Sequence, residues 1–262
     1  MKIPVYYLDA FTDKLFTGNP AAVCVLPESI PEDTLRAIAR ENNLPTTAFL
    51  IGNGESYNIR WITPEFELDL CGHASLAAGY VIFNYLQPQL HQVSLHPKNG
   101  SLLNIYRKQD FITLEFPLKT IEPCEIPNEV IKSLGVTPIE AYQHRDERCI
   151  IVLDDEQTVK NLQPDIHPLK ELDYWGFVVT APGNNVDFVS RTFYPEKSIP
   201  EDAVTGASHC ALMPYWVNRL SKNPLKAYQA SLRGGYLECE LQKSHVLISG
   251  KATLYLEGTI HI

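Results

Sequence analysis

His73 and Asp202 are the side chains whose surroundings best fit acid/base chemistry, because each stands close to a glycine that opens an apolar helix. The stretches are Asp69-Leu70-Cys71-Gly72-His73-Ala74-Ser75 and Asp202-Ala203-Val204-Thr205-Gly206-Ala207-Ser208. A helix start offers backbone N–H groups without helical partners and the positive end of the helix dipole, so both stretches are ready anion sites. An imidazole can shuttle a proton or hold a substrate carbonyl. A carboxylate at a helix N-terminus can orient an amine or a hydroxyl. An anion anchor beside proton-moving groups is the chemistry these residues could do.

The two stretches belong to a duplication. Arg60-Trp61-Ile62-Thr63-Pro64-Glu65 precedes the first, and Arg191-Thr192-Phe193-Tyr194-Pro195-Glu196 precedes the second. Arg60 and Arg191 are 131 residues apart, and Gly72 and Gly206 are 134 apart, in a chain of 262. Each copy reads as a strand, a proline turn, an acidic residue and a helix. The helices are apolar on nearly every side: only Ser75 is polar in Ala74–Phe83, and Ala207–Val217 is similar, with Pro214 an expected end or kink. Such helices must be wrapped by other structure. At this length they are not transmembrane.

Short runs rich in Val, Ile, Tyr and Phe supply the wrapping strands. They are expected at 3–9, 21–26, 47–51, 57–63, 101–107, 111–117, 149–153, 176–181, 186–193, 226–231, 236–242, 245–249 and 252–259. A helix opened by Pro31-Glu32-Asp33 carries Leu35, Ile38 and Ala39 on one face and ends near Asn42-Asn43, and another covers 126–134. The expected architecture is α+β, with two pseudo-symmetric lobes. Each lobe is a curved, mostly antiparallel sheet around a central buried helix, over residues 1–118 and 119–262.

Net charge is −9, which argues against nucleic acid and anionic membrane surfaces as partners. The six cysteines show no CxxC and no zinc-type spacing, so no metal is expected and most read as small core residues. Met1-Lys2-Ile3-Pro4 runs straight into a strand pattern, and no apolar run reaches spanning length; a cytoplasmic protein is expected.

These residues resemble the phenazine-biosynthesis isomerase family (PhzF-like proteins), within the diaminopimelate-epimerase-like fold. The resemblance runs the whole length. It is carried by Val5–Phe11 with Gly18-Asn19-Pro20-Ala21-Ala22-Val23, by Ile59-Arg60-Trp61-Ile62-Thr63-Pro64 and Asp69–Ala74, by Glu201–Gly206, and by Arg233-Gly234-Gly235. It implies an active site in the cleft between two lobes, commonly a homodimer, no organic cofactor and no metal. It also implies isomerisation of a small carboxylated substrate by proton transfer. Residues matching His73 and Asp202 are active-site groups in the family. Asn19, Gly72, Gly206, Ala207, Ser208 and Arg233 are the expected substrate-binding positions. Asn19 also reads as a turn residue, and Arg233 as part of a hairpin turn.

The chain departs from the family at one place. Asn43-Leu44-Pro45-Thr46-Thr47-Ala48-Phe49 matches a segment usually read as Asn-Leu-Ser-Glu-Thr-(Ala/Thr)-Phe, whose Glu is the proposed general acid/base. Here that position is Thr46, whose hydroxyl does not titrate near neutral pH. Glu41 or Thr47 could substitute only if the backbone register shifted. Milder departures are Ala203 for the usual Pro and the order Ala207-Ser208. Three accounts follow: a family member that binds a small carboxylate without turnover or acts through dimer contacts, one that moves protons with His73 and Asp202, or one in which Cys71 contributes. The wider epimerase and racemase superfamily uses paired cysteine bases, one of them in a motif that Cys71-Gly72-His73 resembles, and a cysteine near a helix N-terminus has a lowered pKa; against this, repeat two has Val204 and Thr205 at the matching place, with Cys210 further into the helix, so Cys71 reads first as structural. Asp69 reads as a helix cap or supporting residue, Arg60 and Arg191 as structural ion-pair partners, and Trp61, Trp175 and Trp216 as core.

Overall fold

A computed structural model describes residues 1–144, 148–196 and 200–262. Its contacts divide the chain into two units, one of Met1–Phe116 with Leu247–Ile262 and one of Pro117–Val246.

In the first unit, β1 (Lys2–Ala10) and β2 (Asn19–Val25) pair antiparallel. A parallel neighbour needs a crossover, which α1 (Glu32–Asn42) provides on the way to β3 (Thr47–Asn53). The helix starts after Pro31, buries Leu35, Ile38 and Ala39, and stops at Asn43, whose φ of 48° is left-handed. Burying Leu35 and Ile38 is worth up to about 1.5–3 kcal/mol each. β4 (Ser56–Ile62) runs antiparallel to β3 and carries a two-residue arm, β5 (Glu67–Leu68). Then comes α2 (Gly72–Val81), which continues as a π-helical turn over Ile82–Leu86. β6 (Gln92–Pro97) returns parallel to β4, and β7 (Leu103–Lys108) and β8 (Phe111–Pro117) complete the run antiparallel. Every residue of α2 except Tyr80 is buried, against β1, β2, β3 and β7. Gly79 permits the closest approach: a Cβ there would lie 2.9 Å from Ile112 and 3.0 Å from Ile105.

The second unit opens with β9 (Glu122–Pro123), α3 (Asn128–Leu134) and β10 (Glu140–His144). β11 (Arg148–Val152) pairs antiparallel with β10. α4 (Glu156–Asn161) and a 3-10 turn at His167–Glu171 cross to β12 (Gly176–Pro182), which is parallel to β11. β13 (Phe188–Phe193) is antiparallel to β12 and carries the arm β14 (Glu201–Asp202). α5 (Gly206–Leu220) leads to β15 (Leu225–Gln229), parallel to β13, and then to the antiparallel β16 (Gly235–Leu241). β17 (His245–Gly250) spans the boundary, and β18 (Ala252–His261) pairs antiparallel with β1 along its whole length.

The α+β architecture is therefore a duplication of topology as well as of sequence. β1-β2-α1-β3-β4-β5-α2-β6-β7 and β10-β11-α4-β12-β13-β14-α5-β15-β16 share strand senses and crossovers. Three expectations need correction. Residues 247–262 do not belong with 119–246, because β18 covers the outer edge of β1, which would otherwise present unpaired backbone groups. Pro214 does not end its helix: α5 runs on to Leu220, since the burial of Ala211, Leu212, Met213 and Trp216 outweighs one lost backbone bond. Trp175 is not core; it is 46% exposed and packs on Tyr194, while Trp61 and Trp216 are buried. No helix of the described residues is long and apolar enough to cross a membrane.

Candidate functional site

The duplicated arginines hold each arm to its crossover helix. Arg60 makes a two-pronged ion pair with Glu67 of β5, at 2.7 and 2.5 Å, and reaches Glu32 of α1 at 3.0 Å. Arg191 does the same with Glu201 of β14, at 2.7 and 2.9 Å, and donates at 2.7 and 3.3 Å to the carbonyls of Leu162 and Val159 at the end of α4. Both arginines are thus structural, and the arms they fix aim the following helix starts.

At the start of α2 the N-cap is Cys71, so the exposed Asp69 does not fill that role. The thiol lies 3.5 Å from Nδ1 and 3.9 Å from Nε2 of His73 and donates to Thr46 Oγ1 at 3.5 Å. Thr46, Cys71 and His73 are all buried, at 1, 5 and 7% exposure. Thr46 arrives there because it stands at the mouth of β3, where its carbonyl accepts from Ala22 N–H at 3.1 Å. Thr47 faces away and takes a bond from Asn42 at 3.1 Å, and Glu41 is exposed on α1, so neither joins the cluster. Burial alone would push the Cys71 thiol up, but the His73 imidazole beside it, with Thr46 and the Ala74 N–H, brings it below its ordinary value. The other five cysteines go the opposite way, Cys24, Cys149 and Cys210 to about 12. Asn19 begins β2 fully buried, and strand alternation puts it on the face opposite Ala22 and Cys24, which pack with α1. Its bend needs Gly18, at φ +70°, where a Cβ would sit 2.3 Å from the Ala10 carbonyl.

The start of α5 is built differently. Strand pairing matches Asp202 with Thr192, as it matches Leu68 with Trp61, so the counterpart of Asp202 in the first unit is Leu68 rather than Asp69. The N-cap, in the place of Cys71, is Thr205. Asp202 is therefore not the cap; it accepts the Thr205 hydroxyl at 2.6 Å. Sequence reasoning missed two residues that fix this turn. Gln229, buried at the end of β15, accepts from Thr205 N–H at 2.8 Å and donates to the Asp202 carbonyl at 2.8 Å. His209 donates from Nδ1 to the Thr205 carbonyl at 2.9 Å and accepts at Nε2 from Ser190, at 3.4 Å. A histidine four residues after the cap of an otherwise apolar helix was the signal available for it; Gln229 gave none. Gly206 and Ala207 occupy the first turn. Ser208 is fully buried, with its N–H on the Thr205 carbonyl and its hydroxyl accepting from Thr192 at 3.5 Å. Arg233 sits half-buried in the turn between β15 and β16, which Ser231 ties to the Ala203 carbonyl at 2.7 Å. A cavity of about 250 Å³ in the first unit, lined by Leu35, Phe49, Arg60 and Lys98 among others, touches none of the expected site residues.

Burial depresses His209 from 6.5 to about 4. The unfolded chain takes up that proton near 6.5, and the folded chain does not until about 4. Stability should therefore fall as pH drops through this window, and His209→Asn should flatten that part of a urea-midpoint profile.

The Phenazine biosynthesis-like protein family matches residues 8–258 of this chain. An uncharacterized isomerase of Pseudomonas aeruginosa is 42% identical over 262 residues, the whole of both chains. Phenazine biosynthesis-like domain-containing protein 1 of Mus musculus is 34% identical, over 99% of each chain. A crystal structure of a PhzF-family protein from Enterococcus faecalis superposes with a TM-score of 0.95 at 44% identity, covering all of both chains. A hydroxyproline epimerase of Agrobacterium vitis shares the fold at a TM-score of 0.61 and 12% identity, over 99% of this chain and 92% of its own. With the family model matched over residues 8–258 and relatives at about 40% identity along the whole chain, the chain belongs to the phenazine biosynthesis-like family.

Proposed function

We propose that the protein is an isomerase that moves a proton between carbons of a small carboxylated metabolite without a cofactor. The observation that carries this reading is the buried imidazole of His73 on the first turn of α2, beside backbone N–H groups and a second titratable group, Cys71. Helix-start N–H groups can anchor a carboxylate and stabilise the enolate-like charge that forms when the proton leaves. Within the second unit, Asp202, steadied by Thr205, offers a carboxylate that can hold an amine or hydroxyl. The isomerase names of relatives at about 40% identity support the reaction class.

A second reading is favoured by one residue. Thr46 puts a neutral hydroxyl where the family resemblance puts a carboxylate, which suits a protein that binds a carboxylate without turning it over. Thr46→Glu separates the two. If the protein is an isomerase in its own right, the variant exchanges substrate protons with deuterium no faster than wild type, because a new carboxylate crowds Cys71 and His73. If wild type shows no exchange and Thr46→Glu creates it, the binding reading replaces the enzymatic one. Deuterium incorporation followed by proton NMR makes the measurement.

A further inference from the structure

We propose that the cavity between α1 and the face of β3 and β4 beneath it binds a small amphipathic carboxylate with a ring or a branched alkyl body, at a site separate from the helix-start cluster. The cavity holds about 250 Å³. An apolar cavity of about 150 Å³ takes up benzene, so this one has room for a ring and a carboxylate. Leu35, Phe49 and Ile51 give it an apolar floor, and Asn58, Arg60, His96 and Lys98 give it a polar side. Among the described residues no acidic side chain lines it. An apolar wall with a few convergent polar groups is the usual make-up of a small-molecule site. Phe49 and Ile62 pack with α1, and strand alternation puts Trp61 on the other face, as it does Thr46. The sheet itself therefore holds a ligand here apart from the Thr46, Cys71 and His73 cluster.

The second unit fills the equivalent place with its own side chains. Register matches Ile51, Asn58 and His96, side by side on β3, β4 and β6, with Ala181, Val189 and Tyr228 on β12, β13 and β15. Ala181 and Val189 are fully buried in a cluster with Val159, Leu162 and Leu169, and Tyr228 packs against it. In the first unit Asn58 and His96 are exposed, and their side chains make no hydrogen bond among the described residues. The opening thus comes from these residues and not from the topology the two units share. The charges suit an anion. Glu32 is shared by Arg36 at 2.8 Å, Arg60 at 3.0 Å and Lys98 at 3.4 Å, while Glu67 takes both its bonds from Arg60. Three cations meet two carboxylates, which leaves one positive charge in excess even with His96 neutral. Lys98 has the longest of these contacts and a side chain 55% exposed, so it can turn to an incoming carboxylate at little cost. A neutral His96 ring adds one N–H donor.

Phenylacetate is a suitable probe, titrated into the isotope-labelled full chain and followed by amide NMR. It should shift the signals of Phe49, Ile51 and Asn58 saturably and leave those of Gly72 and His73 in place. Phenylacetamide, which has the same shape without the charge, should bind about tenfold more weakly or worse. Lys98→Glu should weaken phenylacetate by a similar factor. Asn58→Val combined with His96→Tyr copies the second unit and should remove binding, with far-UV circular dichroism unchanged. Lys98 is exposed, so its variant decides the case even if the double variant does not fold. No saturable shift below about 10 mM overturns the proposal, as do shifts centred on Gly72 and His73 instead. Equal binding of acid and amide overturns it too, and so does binding that Lys98→Glu leaves unchanged.

Discussion

Replacing Arg191 with methionine should destabilise the protein by about 3–5 kcal/mol, the range seen when one partner of a buried ion pair is removed. The Arg191 side chain is only 10% exposed, and its guanidinium satisfies the Glu201 carboxylate together with two backbone carbonyls of the second unit. Methionine fills much of the volume but leaves the Glu201 carboxylate and the Leu162 carbonyl without the guanidinium, while the Val159 carbonyl keeps only the Leu162 N–H at 3.4 Å. The matching change at Arg60 should cost about 1 kcal/mol or less. Arg60 is twice as exposed, and one of its partners, Glu32, already holds Arg36 and Lys98 in solvent. Urea denaturation of the two variants tests the contrast. Equal losses would mean that burial does not distinguish the twin pairs.

Exchanging His73 for glutamine should lower carbon–proton exchange by about 10²–10⁴-fold, the usual contribution of a positioned acid or base. Glutamine keeps a polar group of similar size at the helix start but cannot carry a proton. The loss should therefore appear in kcat with KM little changed, and far-UV circular dichroism should remain that of the wild type. A rise in KM alone would assign His73 to binding.

The buried helices were legible because both patterns are apolar on every face, a signal that surface helices do not give. Arg60 and Arg191 were readable as ion-pair residues for a similar reason: the same residue type recurs beside the same proline turn. β6 and β10 escaped. Gln92–Pro97 mixes polar residues with a proline, and Glu140–His144 has little β-branched character; pairing with neighbours makes them strands. The duplication contained what was missing. β15 was readable from its pattern, and β6 is its counterpart; α1 was readable, and α4 is its counterpart. Strand register is the part a linear pattern does not report. It sets Leu68 opposite Trp61 and Asp202 opposite Thr192, so the two helix starts carry different chemistry despite their similar letters. Gln229 lay beyond reach for the same reason, since it meets Thr205 only through the parallel pairing of β15 with β13.

The pairing of β18 with β1 has a consequence for the order of assembly. The second unit comes from one continuous stretch, so its sheet can close as soon as that stretch leaves the ribosome. The first unit is synthesised first but finished last: β1 keeps a bare edge until β18 emerges. Contacts so distant in sequence are slow to form because a long loop must close before they give anything back. During synthesis the nascent first unit therefore carries an open strand edge, the surface most prone to pairing with another chain.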